Sequence, residues 1–256
     1  MGDIQKAIAA YERALVTFNT PFDRFVAGDQ NAISAQAKLG WSIFNGKGRC
    51  MSCHGVNGTQ PMFSDNRFHN IGVSAHKSDF VPLARKALAL LARGGGAQQL
   101  DELAIQTDMS GLGRFLVTRD PHDIGGFRTM DLRNLLVTEP YFHDGSQVTL
   151  WDVVDHYNKG GVQNPFLDGG IVPLGLTEPE IDELVAFLAT LTSPEYAQAA
   201  QVEYRKQFKL SRTSRPQRDT AAAMGLKGRN GPGFAGPFGD IGPNQMAENP
   251  ALLGGD

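Results

Sequence analysis

Apolar residues recur along this chain at helical rather than strand spacing. Ile4, Ile8, Leu15 and Phe18 keep a stripe that ends at Pro21. Ser34 is a helix-capping residue ahead of Leu39, Ile43 and Phe44, and Gly46 and Gly48 stop that helix. Residues 55–80, rich in Gly, Asn, Ser and Asp, read as loop. Pro82 to Arg93 reads as a short helix closed by Gly94, Gly95 and Gly96. Further on, Thr149 caps a helix running to Asn158. Thr177 and Glu180 form a capping box with Pro179 in the first turn, opening a helix with Ile181, Leu184, Val185 and Leu188 on one face. The pattern contains no convincing strand set and no internal repeat.

Just after the second of these helices stands Cys50-Met-Ser-Cys-His54. Cys-x-x-Cys-His is the attachment sequence of a c-type haem. Two thiols three positions apart reach the two vinyl groups of one porphyrin, and the adjacent imidazole then lies under the iron. A four-ligand zinc site needs further thiolates or a His pair at ligand spacing, and there is no second Cys pair. A thioredoxin-like dithiol belongs after a strand, whereas this one follows a helix. One covalent haem c is expected, on Cys50 and Cys53, with His54 as an axial ligand.

A helix immediately before the motif and an amphipathic helix much later are the elements of a cytochrome c fold. The expected class is mainly α: a cytochrome c-type haem domain with elaborated loops and a Gly/Pro-rich C-terminal tail. Residues 1–33 form an N-terminal helical extension and 34–192 the haem domain. Residues 193–256 form a helix followed by a basic and then a Gly/Pro-rich tail. From Gly225 onward nine Gly and four Pro occupy 32 residues, a composition that builds no core of its own.

Composition adds less. At 256 residues, 41% hydrophobic and 20% charged, the chain is of ordinary globular type. A net charge of −3 argues against a nucleic-acid partner. Residues 203–230 nevertheless hold eight Lys/Arg against two Asp/Glu, a basic strip suited to an acidic partner or to the chain's own body. The haem motif consumes both cysteines and leaves none for a disulfide. No apolar run approaches the ~20 residues that span a bilayer. Haem c is attached outside the bacterial cytoplasm, so a periplasmic setting is expected. There is no charged-then-apolar leader, and Met1-Gly2 reads as the start of an engineered or processed chain.

The sixth ligand decides the chemistry. A Met favours electron transfer at raised potential, a Tyr favours ferric iron, and an open position admits peroxide or dioxygen. Met109, Met130, His143, His156 and Tyr157 are the candidates. On the helix from Thr149, Leu150, Val153, Val154 and Tyr157 share a face, so Tyr157 turns inward. His156 lies about 100° around the helix with Asp152 one turn before it, as suits a solvated His. Periodicity alone fits Tyr157 as a core tyrosine as well as a ligand.

Several further segments carry a family resemblance. Phe68-His-Asn-Ile-Gly-Val73, Gly113-Arg114, Phe127-Arg-Thr-Met-Asp-Leu-Arg-Asn134 and Thr138-Glu-Pro-Tyr-Phe-His-Asp-Gly145 resemble successive signatures of the bacterial di-haem cytochrome c peroxidase/MauG family. Phe22-Asp-Arg-Phe-Val-Ala-Gly28 and Val153-Val-Asp-His-Tyr-Asn158 fit too. The resemblance covers about residues 5–192 and matches only the C-terminal haem domain of that family. In its peroxidase branch the distal ligand of this haem is a Met fourteen residues after the His of the His-Asp-Gly block; in the MauG-like branch it is a Tyr. Fourteen beyond His143 is Tyr157. The resemblance therefore implies Tyr157 as distal ligand, with Met130, where the family usually has Pro, in reserve. It also implies Arg114 and Arg133 beside the haem propionates, ion pairing being the alternative, and a calcium ion held partly by the Thr138 and Pro140 carbonyls. His143 either positions the haem edge or hydrogen-bonds in the core.

In the resembling enzymes the first haem is the peroxide site and the second gathers electrons or shares oxidising equivalents. The acid–base residues of the peroxide pocket belong to the first domain, which has no counterpart here. The expected function is thus redox. One reading is peroxide-linked oxidation, or electron exchange with a partner protein, the first haem domain standing on a second haem-bearing subunit or on a longer peroxidase from which this chain was cut. The other is a mono-haem electron-transfer cytochrome without peroxidase activity.

Overall fold

A computed structural model of the protein describes residues 2–14, 17–58, 61–94 and 96–213. The Gly/Pro-rich tail, the basic strip beyond Thr213 and Leu15 lie outside the described residues. Helices account for most of the ordered elements. They are α1 (Gly2–Ala14), α2 (Pro21–Val26), α3 (Ala35–Asn45), α4 (Phe80–Ala92), α5 (Ala97–Gln106), α6 (Phe115–Thr118), α7 (Leu150–Asn158), α8 (Glu178–Ala189) and α9 (Ala197–Thr213). The only sheet among the described residues is a two-residue antiparallel pair, β1 (Phe68–His69) with β2 (Phe127–Arg128), Phe68 facing Arg128 and His69 facing Phe127.

The helix ends follow the capping signals. Ser34 Oγ accepts from the Ala37 amide, Thr149 from Asp152 and Thr177 from Glu180. A fourth cap lies ahead of α2. Thr20 accepts from the Asp23 amide while the Asp23 carboxylate accepts from the Thr20 amide, which opens α2 at Pro21. Phe22 is thereby driven into the core, where it meets Trp41, Phe63 and Phe187, and its amide donates to the Thr190 carbonyl. α1 differs. Its stripe is present, but Ile4 and Ile8 are 63% and 53% exposed and none of its residues is buried.

Two helices make the centre. α3 and α8 cross with Gly40 at the closest approach, where an added Cβ would fall on the Glu183 carbonyl oxygen and 2.8 Å from Phe187 Cβ. Around that crossing Phe22, Trp41, Phe44, Phe63 and Phe187 form one aromatic cluster with ring centroids 4.8–6.4 Å apart. α9 docks against α7. Trp151 packs on Tyr204 and Phe208, and the wholly buried Gln207 receives the Leu150 amide and donates to the Tyr141 hydroxyl.

The long stretch between motif and last helix carries a second core, not only loops. α4, α5 and α6 enclose Phe80, Ala84, Ala87, Leu100, Leu103, Leu112, Phe115 and Ile124. α5 and α6 leave little trace in the sequence, because Ala97–Gln106 is only weakly patterned and the four residues of α6 are too few to show a period.

Candidate metal centre

α3 ends at Gly46, and Gly48 lets the chain fold back on it: its amide donates to the Ile43 carbonyl, and a Cβ there would stand 2.8 Å from that oxygen. Arg49 takes the left-handed conformation (φ 53°) and a single turn, Cys50–Ser52, follows. The His54 amide donates to the Cys50 carbonyl at 2.9 Å, bringing both thiols and the imidazole onto one tight loop. Neither cysteine is in a disulfide, and Cys50 lies against the main core. Burial pushes the Cys50 thiol up to about 12 and raises that of Cys53, so both are protonated thiols rather than thiolates at neutral pH.

His54 is oriented by the backbone. Its Nδ1 stands 2.7 Å from the Phe63 carbonyl oxygen, which can only accept, so Nδ1 carries the proton and Nε2 keeps its lone pair. Burial lowers the His54 pKa and favours the neutral ring that a metal requires. Phe63 aims its carbonyl from a left-handed backbone (φ 56°) that few bulky residues adopt, held there by a ring with no exposed surface. Nothing in the sequence marks Phe63 for this role.

Tyr157 leaves α7 into the same space. Its hydroxyl has no hydrogen-bond partner among the described residues, Phe142 lies beside its ring at 6.3 Å, and burial together with Cys50 and Cys53 raises its pKa. A half-buried phenol with no partner, within electrostatic reach of both attachment thiols, fits a site built for an added group. The free His54 Nε2 fits it as well. The donor set of Cys50, Cys53, His54 and Tyr157 therefore suits a covalent haem.

The other candidates are placed differently. His156 is not solvated: it is buried, its Nε2 lies 2.8 Å from the Ile71 carbonyl, and Phe142 packs on it at 4.9 Å. The fold of residues 70–76 over α7 encloses it, which local periodicity does not encode. His143 stacks on Phe127 at 3.5 Å with Nε2 3.3 Å from Ser74 Oγ. Met109 is enclosed in the second core, while Met130 is 60% exposed and its thioether has no enclosed setting. Arg133 is buried and donates to both Asp23 oxygens at 2.9 Å, to Pro61 O and to Thr17 O. Arg114 pairs with Asp123 at 3.1 Å and lies 4.0 Å over the Phe68 ring, on the wall of a surface hollow of about 300 Å³. Both arginines thus have carboxylate partners within the chain, and only Arg114 remains open to a second anion. Thr138 and Pro140 flank Glu139 in the turn ahead of Tyr141, with the Thr138 hydroxyl donating to Leu135 O. No helix of the described residues is long and apolar enough to cross a membrane.

No family model matches the chain. Curated proteins do. The chain is 41% identical over 193 residues to the cytochrome-c peroxidase IdrP1 of Denitromonas iodatirespirans, covering 74% of this chain and 49% of that protein. It is 34% identical over 188 residues to the methylamine utilization protein MauG of Methylorubrum extorquens, covering 73% of this chain and 43% of that one. Among solved structures, a MauG-like protein associated with microbial copper homeostasis superimposes with a TM-score of 0.54 at 28% identity, over 74% of this chain and 56% of that one. The chain spans about half the length of the curated relatives it matches. Over about three quarters of its length the chain is homologous to bacterial cytochrome c peroxidases and MauG proteins.

Proposed function

We propose that this chain is the electron-handling haem domain of a cytochrome c peroxidase/MauG-type oxidoreductase, corresponding to the C-terminal haem domain of its relatives. When bound, the haem supplies an iron centre that changes oxidation state. The chain's own residues would hold that centre: Cys50 and Cys53 would fix it covalently, His54 Nε2 would donate to iron, and Tyr157 would supply a second, oxygen ligand. Tyr157 carries the reading. Among the described residues its hydroxyl has no hydrogen-bond partner, and it lies within electrostatic reach of both thiols, whereas Met130 is exposed and His156 is committed to a backbone carbonyl.

A Tyr oxygen favours ferric iron, and a haem held by both His54 and Tyr157 would leave no ready place for peroxide. Direct attack on hydrogen peroxide accordingly belongs to a second haem, on another subunit or on the half of the family architecture that this chain does not match. The partner is a redox protein in the periplasm, and the basic face of α9, with Arg205, Lys206 and Lys209, suits an acidic one. Arg114 is available to a propionate. A calcium ion at the Thr138 and Pro140 carbonyls belongs to the same reading and needs further oxygens from outside this chain. The second reading, a mono-haem electron carrier, rests on the single Cys-x-x-Cys-His motif.

Stopped-flow mixing of the ferric protein with one equivalent of hydrogen peroxide tests the assignment. An unchanged spectrum on the isolated chain, with fast reaction restored by a second haem-bearing subunit, is expected. Rapid loss of the ferric Soret band on this chain alone contradicts a closed site. Reversible reduction without any peroxide-dependent partner chemistry favours the carrier.

A further inference from the structure

His69 lies on β1, outside the set of residues that hold the haem, yet it is bonded on both sides. Its Nδ1 stands 2.7 Å from Asp168 Oδ2 and its Nε2 2.9 Å from Asp65 Oδ2. A carboxylate accepts and does not donate, so two such contacts require a proton on each ring nitrogen, and a ring with both protons is a cation. All three side chains are half-buried, at 18%, 20% and 34% exposed, so solvent screens the cluster only in part.

This clasp sits against the haem motif. Cys53 Sγ, an Asp65 carboxylate oxygen and a His69 nitrogen all lie within 4.8 Å of one another. The Asp65 amide also donates to the Cys53 carbonyl at 2.8 Å, and the other Asp65 oxygen receives the Arg67 amide at 2.8 Å. On the far side the Asp168 amide donates to the Asn70 carbonyl at 2.9 Å. A chain of contacts thus runs from the loop after α7, which carries Tyr157, through His69 to the turn that carries Cys53. With Cys53 consumed as a thioether the group lacks a thiolate and reads as a charge cluster rather than a metal site.

We infer that His69 is a charge-setting and positioning residue of the redox centre: it holds the haem-bearing turn through Asp65 and offsets one of two carboxylates beside the Cys53 edge of the haem. This rests on the proposed haem assignment. The contacts set the sign. Two carboxylates and one imidazolium leave the edge with a net charge of −1; removing the cation leaves −2, which stabilises ferric iron further. Opposing influences act on His69 itself, burial lowering its pKa and the Asp168 and Asp65 bonds raising it, with a net rise. Asp65 is held down to about 2 and Asp168 is also lowered.

The test has two readouts on the full chain. The first is the ¹⁵N spectrum of the His69 ring at neutral pH, assigned by its loss in His69→Gln. Two protonated ring nitrogens are expected, and a neutral tautomer overturns the inference. The second is the midpoint potential of the haem protein. His69→Gln is expected to lower it and His69→Lys, which restores the charge, to bring it back towards the starting value. Equal potentials in all three proteins, or equal shifts in both variants, overturn the electrostatic role. A chain that carries no covalent haem contradicts the proposed function instead, and the ring spectrum still decides the state of the clasp.

Discussion

The Nδ1 of His54 lies 2.7 Å from the Phe63 carbonyl oxygen, so a backbone group nine residues downstream sets the tautomer of the proposed iron ligand. The Phe63 ring anchors that carbonyl among Phe22, Phe44 and Phe187. Phe63→Ala is expected to cost about 3–5 kcal/mol of stability, as for deletion of a wholly buried aromatic ring. It is also expected to disturb the ligand field through the loosened imidazole. Denaturant unfolding checks the first and the ferric electron paramagnetic resonance spectrum the second.

At the α3/α8 crossing, Gly40→Ala puts a methyl onto the Glu183 carbonyl oxygen. Backbone cannot yield as a flexible side chain does, so a loss at or beyond the upper end of the ~1–3 kcal/mol typical of overpacking is expected. Gly169→Ala, where an added Cβ meets nothing within 4 Å, is the matched control and should be nearly neutral. Thermal melts of the two variants side by side give the comparison.

Asp23 and Arg133 form a buried pair at 2.9 Å. Removing one partner strands the other, and Asp23→Asn is expected to cost about 3–5 kcal/mol at neutral pH. Burial pushes the Asp23 pKa up, but Arg133 and the Thr20 bonds outweigh it and the net shift is downward. A folded value below the unfolded one near ~3.9 means the contribution is complete above that pH and is lost as pH falls through the folded value. The difference between wild type and Asp23→Asn should therefore narrow below about pH 4, as unfolding free energies measured across pH 3–7 would show.

Replacing both Cys50 and Cys53 with Ser should release the haem to acidified organic solvent, while each single variant retains it through the remaining thioether. Extraction that succeeds on the wild-type protein would count against covalent attachment.

Where the sequence was legible, a local signal sufficed. Ser34, Thr149 and the Thr177–Glu180 box mark helix starts by groups only a few residues away, and the structure places caps at all three. The inward turn of Tyr157 was legible because four residues of α7 share a face; its place as a ligand is what the spacing from His143 implies. What was not legible depends on distant chain. Phe63 acts through its backbone, His156 is buried by residues 70–76 packing over α7, and Arg133 finds Asp23 across 110 positions. The Asp65–His69–Asp168 clasp joins residues up to 103 apart and leaves no periodic trace. The second core failed for another reason: α5 and α6 are too short or too weakly patterned to announce a face.

The most direct measurement compares the ferric optical and electron paramagnetic resonance spectra of wild-type protein, Tyr157→Phe and Met130→Leu, each with covalent haem verified. If Tyr157 is the second axial ligand, Tyr157→Phe alone loses the phenolate-to-iron charge-transfer band and changes coordination, and Met130→Leu matches wild type. Identical spectra for Tyr157→Phe and wild type, or a change confined to Met130→Leu, would contradict it.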